Sequence, residues 1–257
     1  MSLSISIIQT SLLWEDKEGN LAQFQRKIEG INAETDLIIL PEMFTTGFSM
    51  KPEFFAEKMS GETLEWMQEM ARFSNAAISG SVIINENGNN VNRFLFVKPD
   101  GQYQYYDKRH LFAMAGENKS YTQGKKNELI EYKGWRIRPQ ICYDLRFPVW
   151  SRNTEEYDLL IYVANWPERR VVHWKTLLQA RAIENQAFVA GVNRIGLDGN
   201  NYNYSGDSAI YDPLGEKISK TNPNEESVET ILISKEFIQE IRKSLPFLTD
   251  KDKFDIK

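Results

Sequence analysis

Asp36-Leu37-Ile38-Ile39-Leu40-Pro41 is a continuous apolar run of strand length, opened by an acid and stopped by a proline. A strand with one wet face alternates polar and apolar residues. This one does not alternate, so both its faces are expected to be covered. That requirement points to an α/β layered fold with helices outside and sheets inside.

The flanking sequence agrees. Ser4–Gln9 alternates and is rich in isoleucine, which reads as a strand. Lys17–Ala33 spaces Leu21, Phe24, Ile28 and Ile31 as a helical stripe, and Glu62–Phe73 does the same with Leu64, Met67 and Met70. Ala76–Ile84, Val91–Lys98 and Gln102–Tyr106 read as a three-strand meander turned at Asn87-Gly88 and Asp100-Gly101. Farther on, Trp135–Ile141, Leu159–Ala164 and Phe188–Asn193 read as strands, with a helix over His173–Ala187. Ala209–Tyr211 and Val228–Ile233 are expected to pair about a Pro213-Leu214-Gly215 turn. No linker, repeat or low-complexity tract interrupts the chain, so residues 1–257 are expected to form one domain, with 245–257 a charged C-terminal tail.

Composition narrows the function. The 257 residues are 41% hydrophobic and 26% charged, ordinary for a globular chain with a sizeable core. A net charge of -5 without a Lys/Arg block provides no basic face for nucleic acid. The single cysteine excludes an intrachain disulfide and fits a reducing compartment. Met1-Ser2-Leu3-Ser4-Ile5 lacks the features of a signal peptide, and no apolar run approaches bilayer length. A cytoplasmic protein without membrane contact is expected.

Three strand ends carry the chemistry. Glu42 follows Leu37–Leu40 and Pro41, at the end of a strand where ligands collect in α/β sheets. Partial desolvation there makes a carboxylate a better base near neutrality. Cys142 ends Trp135–Ile141, where backbone N–H groups can face its substrate. Lys108, in Asp107-Lys108-Arg109-His110-Leu111-Phe112, closes the meander; an ammonium there would stabilise a thiolate and an oxyanion. Taken singly, each has a plainer reading: a loop glutamate, an inert buried thiol, a wet surface lysine. His110 and His173 are the only histidines and have no ligand spacing with the lone cysteine, so a zinc site is not expected.

Pro41-Glu42-Met43-Phe44, the lysine block, and Cys142-Tyr143-Asp144-Leu145-Arg146-Phe147-Pro148 together resemble the three signature blocks of the nitrilase superfamily of carbon–nitrogen hydrolases. Val163–Pro167, Ala180–Gln186, Gly191–Arg194, Asp212–Glu216 and the Pro246-Phe247-Leu248 tail resemble its omega-amidase branch, and within it bacterial enzymes acting on 2-oxoglutaramate-type substrates. The resemblance implies a four-layer α-β-β-α sandwich, dimerised through outer helices. It also implies a Glu42–Lys108–Cys142 triad with Glu117 in support and no cofactor or metal.

The expected reaction is hydrolysis of the side-chain amide of a small 2-oxo dicarboxylic monoamide through a Cys142 thioester. Glu42 shuttles the proton, while Lys108 and the Tyr143 backbone N–H hold the oxyanion. For the substrate carboxylate, Arg146, Arg169 and Arg194 are candidates. An ion pair with Asp144 or another acid is expected to occupy Arg146; Arg169, which follows Asn165-Trp166-Pro167 after a strand end, is the choice, with Trp166 as a pocket wall. A homodimer or larger assembly is expected, partly because Trp174, Leu177, Leu178 and Ile183 exceed one narrow helical stripe. Another superfamily amidase (for deaminated glutathione), a carbamoylase, a nitrilase, or a catalytically silent binding protein are the alternatives.

Overall fold

The computed structural model describes residues 1–256. Its strands are β1 (Ser2–Gln9), β2 (Leu37–Ile39), β3 (Ala77–Glu86), β4 (Asn89–Val97), β5 (Tyr103–Asp107), β6 (Ile130–Tyr132), β7 (Trp135–Ile141), β8 (Leu159–Ala164), β9 (Phe188–Asn193), β10 (Ile195–Leu197), β11 (Asn203–Ser205), β12 (Ala209–Tyr211) and β13 (Ser227–Ser234). One sheet has the order β13-β1-β2-β3-β4-β5, a second β12-β9-β8-β7-β6, and β10-β11 form a separate hairpin.

The apolar run behaves as its lack of alternation requires. Leu37 and Ile39 face the layer between the sheets, with Ile5, Ile7, Phe94, Ile137, Ile141 and Val163. Ile38 and Leu40 face outward, against Phe24 and Ile28 of one helix and Met67 and Met70 of another. On the far side, Leu160, Tyr162 and Val189 pack against Trp174, Leu178 and Ala182 of the helix Val171–Asn185. Helix, sheet, sheet and helix are thus stacked around three apolar layers. Truncating Ile39 to alanine at the centre would cost about 2–5 kcal/mol.

Local signals explain most boundaries. The meander turns at Asn87 (φ 52°) and Gly88 (φ 82°), both left-handed, as a two-residue hairpin turn demands. The first helix, Lys17–Glu29, is capped by Asp16, which accepts from Gly19 N at 3.0 Å. It ends short of Ala33 because Gly30 is a poor helix former. Gly191 lets the outer helix approach β9, since a Cβ there would lie 2.4 Å from Leu178 Cδ1.

Two expectations are corrected and one element is added. Ala209–Tyr211 pairs with β9 and β13 pairs with β1, so these strands lie in different sheets rather than flanking one turn. Lys235–Ser244 is an unforeseen helix, with Ser234 accepting from Phe237 N as its cap. Trp174 and Leu178 are fully buried within their own fold, which removes them from any assembly face. In the tail, Lys251 Nζ reaches the carbonyls of Asn153 and Thr154 at 3.3 Å; residue 257 lies outside the described residues. No helix among the described residues is long and apolar enough to cross a membrane.

Candidate active site

Strand direction brings the three blocks together. β2 runs parallel to β3, and two antiparallel steps through β4 make β5 parallel to β2 again. β7, β8 and β9 are mutually parallel in the other sheet. The chain therefore leaves β2 at Glu42, β5 at Lys108, β7 at Cys142 and β8 at Asn165, and these four converge.

Lys108 Nζ donates to Glu42 Oε1 at 2.8 Å and to Glu117 Oε1 and Oε2 at 2.9 and 3.0 Å. All three side chains have no exposed surface. Burial opposes the ammonium charge, but Glu117 and Glu42 outweigh it and hold the Lys108 pKa above its ordinary value. Burial, moderated by Lys108, raises that of Glu117.

Glu42 is held on both oxygens. Oε1 also accepts from Asn92 Nδ2 at 2.8 Å, and Oε2 from the Asn165 backbone N–H at 2.8 Å. Asn165 Nδ2 further grips the Glu42 carbonyl at 2.7 Å. Glu117 is fixed by the Phe112 N–H at 2.5 Å. Asn92 and Asn165 were assigned no role from sequence. The signal for Asn92 is its period-two register with Phe94 and Phe96, which sets a polar residue on the inter-sheet face, where it is fully buried.

Cys142 has φ 43°, as does Met43 just after Glu42, a left-handed conformation costly for a side chain with Cβ. The Cys142 Sγ lies 3.8 Å from the Asn165 carbonyl. Burial and the Glu42 carboxylate push its pKa well up, with Lys108 pulling the other way, so the resting group is a thiol. Tyr143 follows at the second position of the 3-10 turn Cys142–Arg146.

Cys142, Lys108, Tyr143 and Asn165 line a cleft of about 480 Å³. Phe48, Phe112 and Trp166 wall it; the Phe48 ring centre is 5.1 Å from Lys108 Nζ. Trp166 is almost wholly buried, its indole N–H donating to the Arg170 carbonyl at 2.8 Å.

The arginines differ from expectation. Asp144 accepts from Tyr106, His110 and the Ile141 N–H instead of pairing with Arg146. Arg146 is thereby free to lie over Trp166, 4.7 Å from the ring centre, with Nη2 3.1 Å from His173 Nδ1. Arg169 lies over Tyr202 and Arg170 over Phe112, at 4.6 and 5.2 Å. Arg146, Arg169 and Arg170 all line the cleft, and among the described residues none is in an ion pair. Burial and the neighbouring Arg169 lower the Arg170 pKa. Arg194, by contrast, is buried and donates to the carbonyls of Ile195, Leu12 and Leu197, which removes it from the candidates. Neither histidine lines the cleft, and no acid, histidine or cysteine cluster fit for a metal occurs among the described residues.

A thiol, an ammonium and a carboxylate at converging strand ends of a four-layer sandwich, with a second carboxylate from the helix start at Glu117, define a hydrolase of carbon–nitrogen bonds. The chain belongs to the carbon-nitrogen hydrolase family, whose model matches residues 4–243. It is 49% identical over 255 residues to the omega-amidase YafV of Yersinia enterocolitica, covering 98% of both chains. It is 32% identical to the 2-oxoglutaramate amidase of Bacillus subtilis, covering 97% of this chain and 98% of that one. A CN-hydrolase superfamily protein of Xanthomonas campestris, solved with an arsenic adduct in its active site, superposes with a TM-score of 0.97 at 45% identity over the whole of both chains.

Proposed function

We propose that the protein is an omega-amidase, hydrolysing the terminal amide of small 2-oxo dicarboxylic monoamides such as 2-oxoglutaramate and 2-oxosuccinamate to the 2-oxo acid and ammonia. The observation that carries this reading is one cleft holding the thiol and ammonium beside three guanidinium groups that form no ion pair among the described residues. A neutral amide alone has no use for those cations; a substrate with an anionic end does. The omega-amidase and 2-oxoglutaramate amidase relatives support the same substrate class.

In this mechanism Glu42 takes the thiol proton as Cys142 Sγ attacks the amide carbonyl carbon. The carbonyl electrons move onto oxygen, and Lys108 with the Tyr143 N–H holds that oxyanion. Collapse breaks the carbon–nitrogen bond, Glu42 returns the proton to nitrogen, and ammonia leaves a thioester. Water, deprotonated by Glu42, then releases the acid and restores the thiol. Glu117 keeps Lys108 charged and aimed. Arg169, with Arg146 and Arg170, receives the substrate's carboxylate, and Trp166 walls the pocket.

The chain works as one domain, its free thiol suits the reducing cytoplasm, and it assembles as a homodimer or larger through the helix Val171–Asn185. Ammonia release from 2-oxoglutaramate, 2-oxosuccinamate, glutamine and deaminated glutathione tests the substrate reading. The 2-oxo monoamides should be turned over fastest, and preference for any other member of the panel would overturn it.

A further inference from the structure

The Asp144 carboxylate is buried and, among the described residues, has no lysine or arginine partner, yet each of its oxygens accepts from two donors. Oδ2 accepts from Tyr106 Oη at 2.8 Å and from the Ile141 N–H at 3.0 Å. Oδ1 accepts from the His110 N–H at 2.9 Å and from His110 Nδ1 at 2.8 Å. A carboxylate only accepts, so Nδ1 carries the ring proton. The His110 ring is fixed in turn by stacking on Phe147, 3.7 Å between centres and 7° between planes. Tyr106 Oη accepts from Trp150 Nε1 at 3.0 Å and the Arg109 N–H at 3.2 Å, so its geometry is fully determined.

These donors come from two chain segments that meet at the reacting groups. Tyr106 and His110 flank Lys108, two residues to either side. Ile141 immediately precedes Cys142, whose left-handed backbone needs support from its surroundings. One carboxylate therefore ties the lysine's segment to the nucleophile's without lining the cleft.

We infer that Asp144 is a positioning residue that sets Cys142 and Lys108 in register across the two sheets, with Tyr106 and His110 as its levers. The inference rests on the proposed Cys142–Lys108 chemistry. Its consequence is that loosening this brace should slow the chemical step while leaving substrate capture by the arginines intact.

The test uses Asp144→Asn and Tyr106→Phe in the full chain, with folding checked by circular dichroism. Asp144→Asn sets an amide N–H₂ against donors; Tyr106→Phe deletes one donor and leaves the carboxylate. For folded Asp144→Asn, kcat should fall roughly a hundredfold, the scale of an ångström misplacement, with KM within about threefold of wild type. Iodoacetamide alkylation of Cys142 should slow in step. Tyr106→Phe should shift both in the same direction by a smaller factor. If Asp144→Asn does not fold, Tyr106→Phe decides by the same two readouts. Wild-type kcat and alkylation in a folded variant would overturn the inference, as would a change confined to KM. Alkylation needs no substrate, so it still decides if the 2-oxo monoamides prove to be the wrong substrates.

Discussion

Lys108 and Glu42 share a 2.8 Å hydrogen bond between side chains with no exposed surface. Because Glu117 holds the same ammonium, the two carboxylates depend on Lys108 more than it depends on either. Removing one partner of a buried pair typically costs about 3–5 kcal/mol, much of it the stranded charge. Lys108→Met strands two carboxylates, whereas Glu42→Gln leaves Lys108 paired with Glu117. Both should lower turnover by roughly a hundredfold or more, as loss of an oxyanion donor or of proton transfer does. Urea unfolding should separate them, with Lys108→Met the less stable. The reverse order would mean that the ammonium is not the keystone of the cluster.

The same two variants should move the thiol in opposite directions. The Glu42 carboxylate raises the Cys142 pKa and the Lys108 ammonium lowers it, on top of the upward push from burial. Glu42→Gln should therefore shift the iodoacetamide alkylation profile to lower pH, and Lys108→Met to higher pH. A dead enzyme with a more reactive cysteine distinguishes a lost base from a lost electrostatic partner. Shifts of the same sign would show that the two groups do not act on Cys142 as opposed charges. Cys142→Ala should abolish turnover and alkylation together while the fold persists.

Acid stability has a separate contributor that does not line the cleft. Glu226 accepts from Thr10 Oγ1 at 2.6 Å and Lys27 Nζ at 2.8 Å. Burial pushes its pKa up, but these bonds outweigh burial and bring it from 4.5 to about 2. A depressed carboxylate stabilises the fold fully above its ordinary value and loses that contribution as pH falls through the folded value. Glu226→Gln should thus be less stable than wild type at pH 7, with the gap closing between about pH 4.5 and 2. Thermal melts across that range check it, and a gap that persists at pH 2 would assign the loss to packing.

Much of this could be read from residues alone, for identifiable reasons. Leu37–Leu40 declared its two covered faces because a buried strand cannot alternate, and Asn87-Gly88 declared its turn because few other pairs tolerate two left-handed residues. What stayed hidden was long-range pairing. Nothing in Ala209–Tyr211 says that its partner is β9 and not the next strand along the chain. The Arg146–Asp144 pair was a plausible local guess, overruled because donors from β5 and the lysine loop reach the carboxylate from across the sheets. Lys235–Ser244 was missed because its apolar stripe, Phe237, Ile238 and Ile241, is short and set among charges.

Assembly should use the apolar residues that the fold leaves outside. On the helix Val171–Asn185, Val172 and Ile183 are 70% and 48% exposed and, three turns apart, lie on one face. Leu214, 46% exposed, precedes Gly215, whose Cα region abuts Ile183. Wild type should sediment as a dimer or larger at micromolar concentration, and Val172→Asp should shift it toward the 29.9 kDa monomer. A monomeric wild type would refute assembly through this helix.

Substrate choice turns on which guanidinium holds the anion. Arg169 is exposed and stacks on Tyr202 at the outer hairpin, whereas Arg146 lies partly buried over Trp166, on the turn that carries Cys142. A charged hydrogen bond to a carboxylate contributes roughly 1.5–3 kcal/mol, so amides with a free 2-oxo acid end should exceed neutral amides by about ten- to a hundredfold in kcat/KM. Arg169→Met should raise KM for the 2-oxo acid amides and scarcely affect neutral ones. If Arg169→Met is silent, Arg146→Met and Arg170→Met should show that selective loss instead, since these are the other unpaired cations on the cleft wall. Arg194→Met should lower stability and damage both substrate classes equally, because its bonds go to three carbonyls of its own fold. Equal loss for both classes in all three cleft variants would mean that the cations serve the fold or the cleft in general. The preference for 2-oxo acid amides would then need another source, though the Glu42–Lys108–Cys142 chemistry could stand without it.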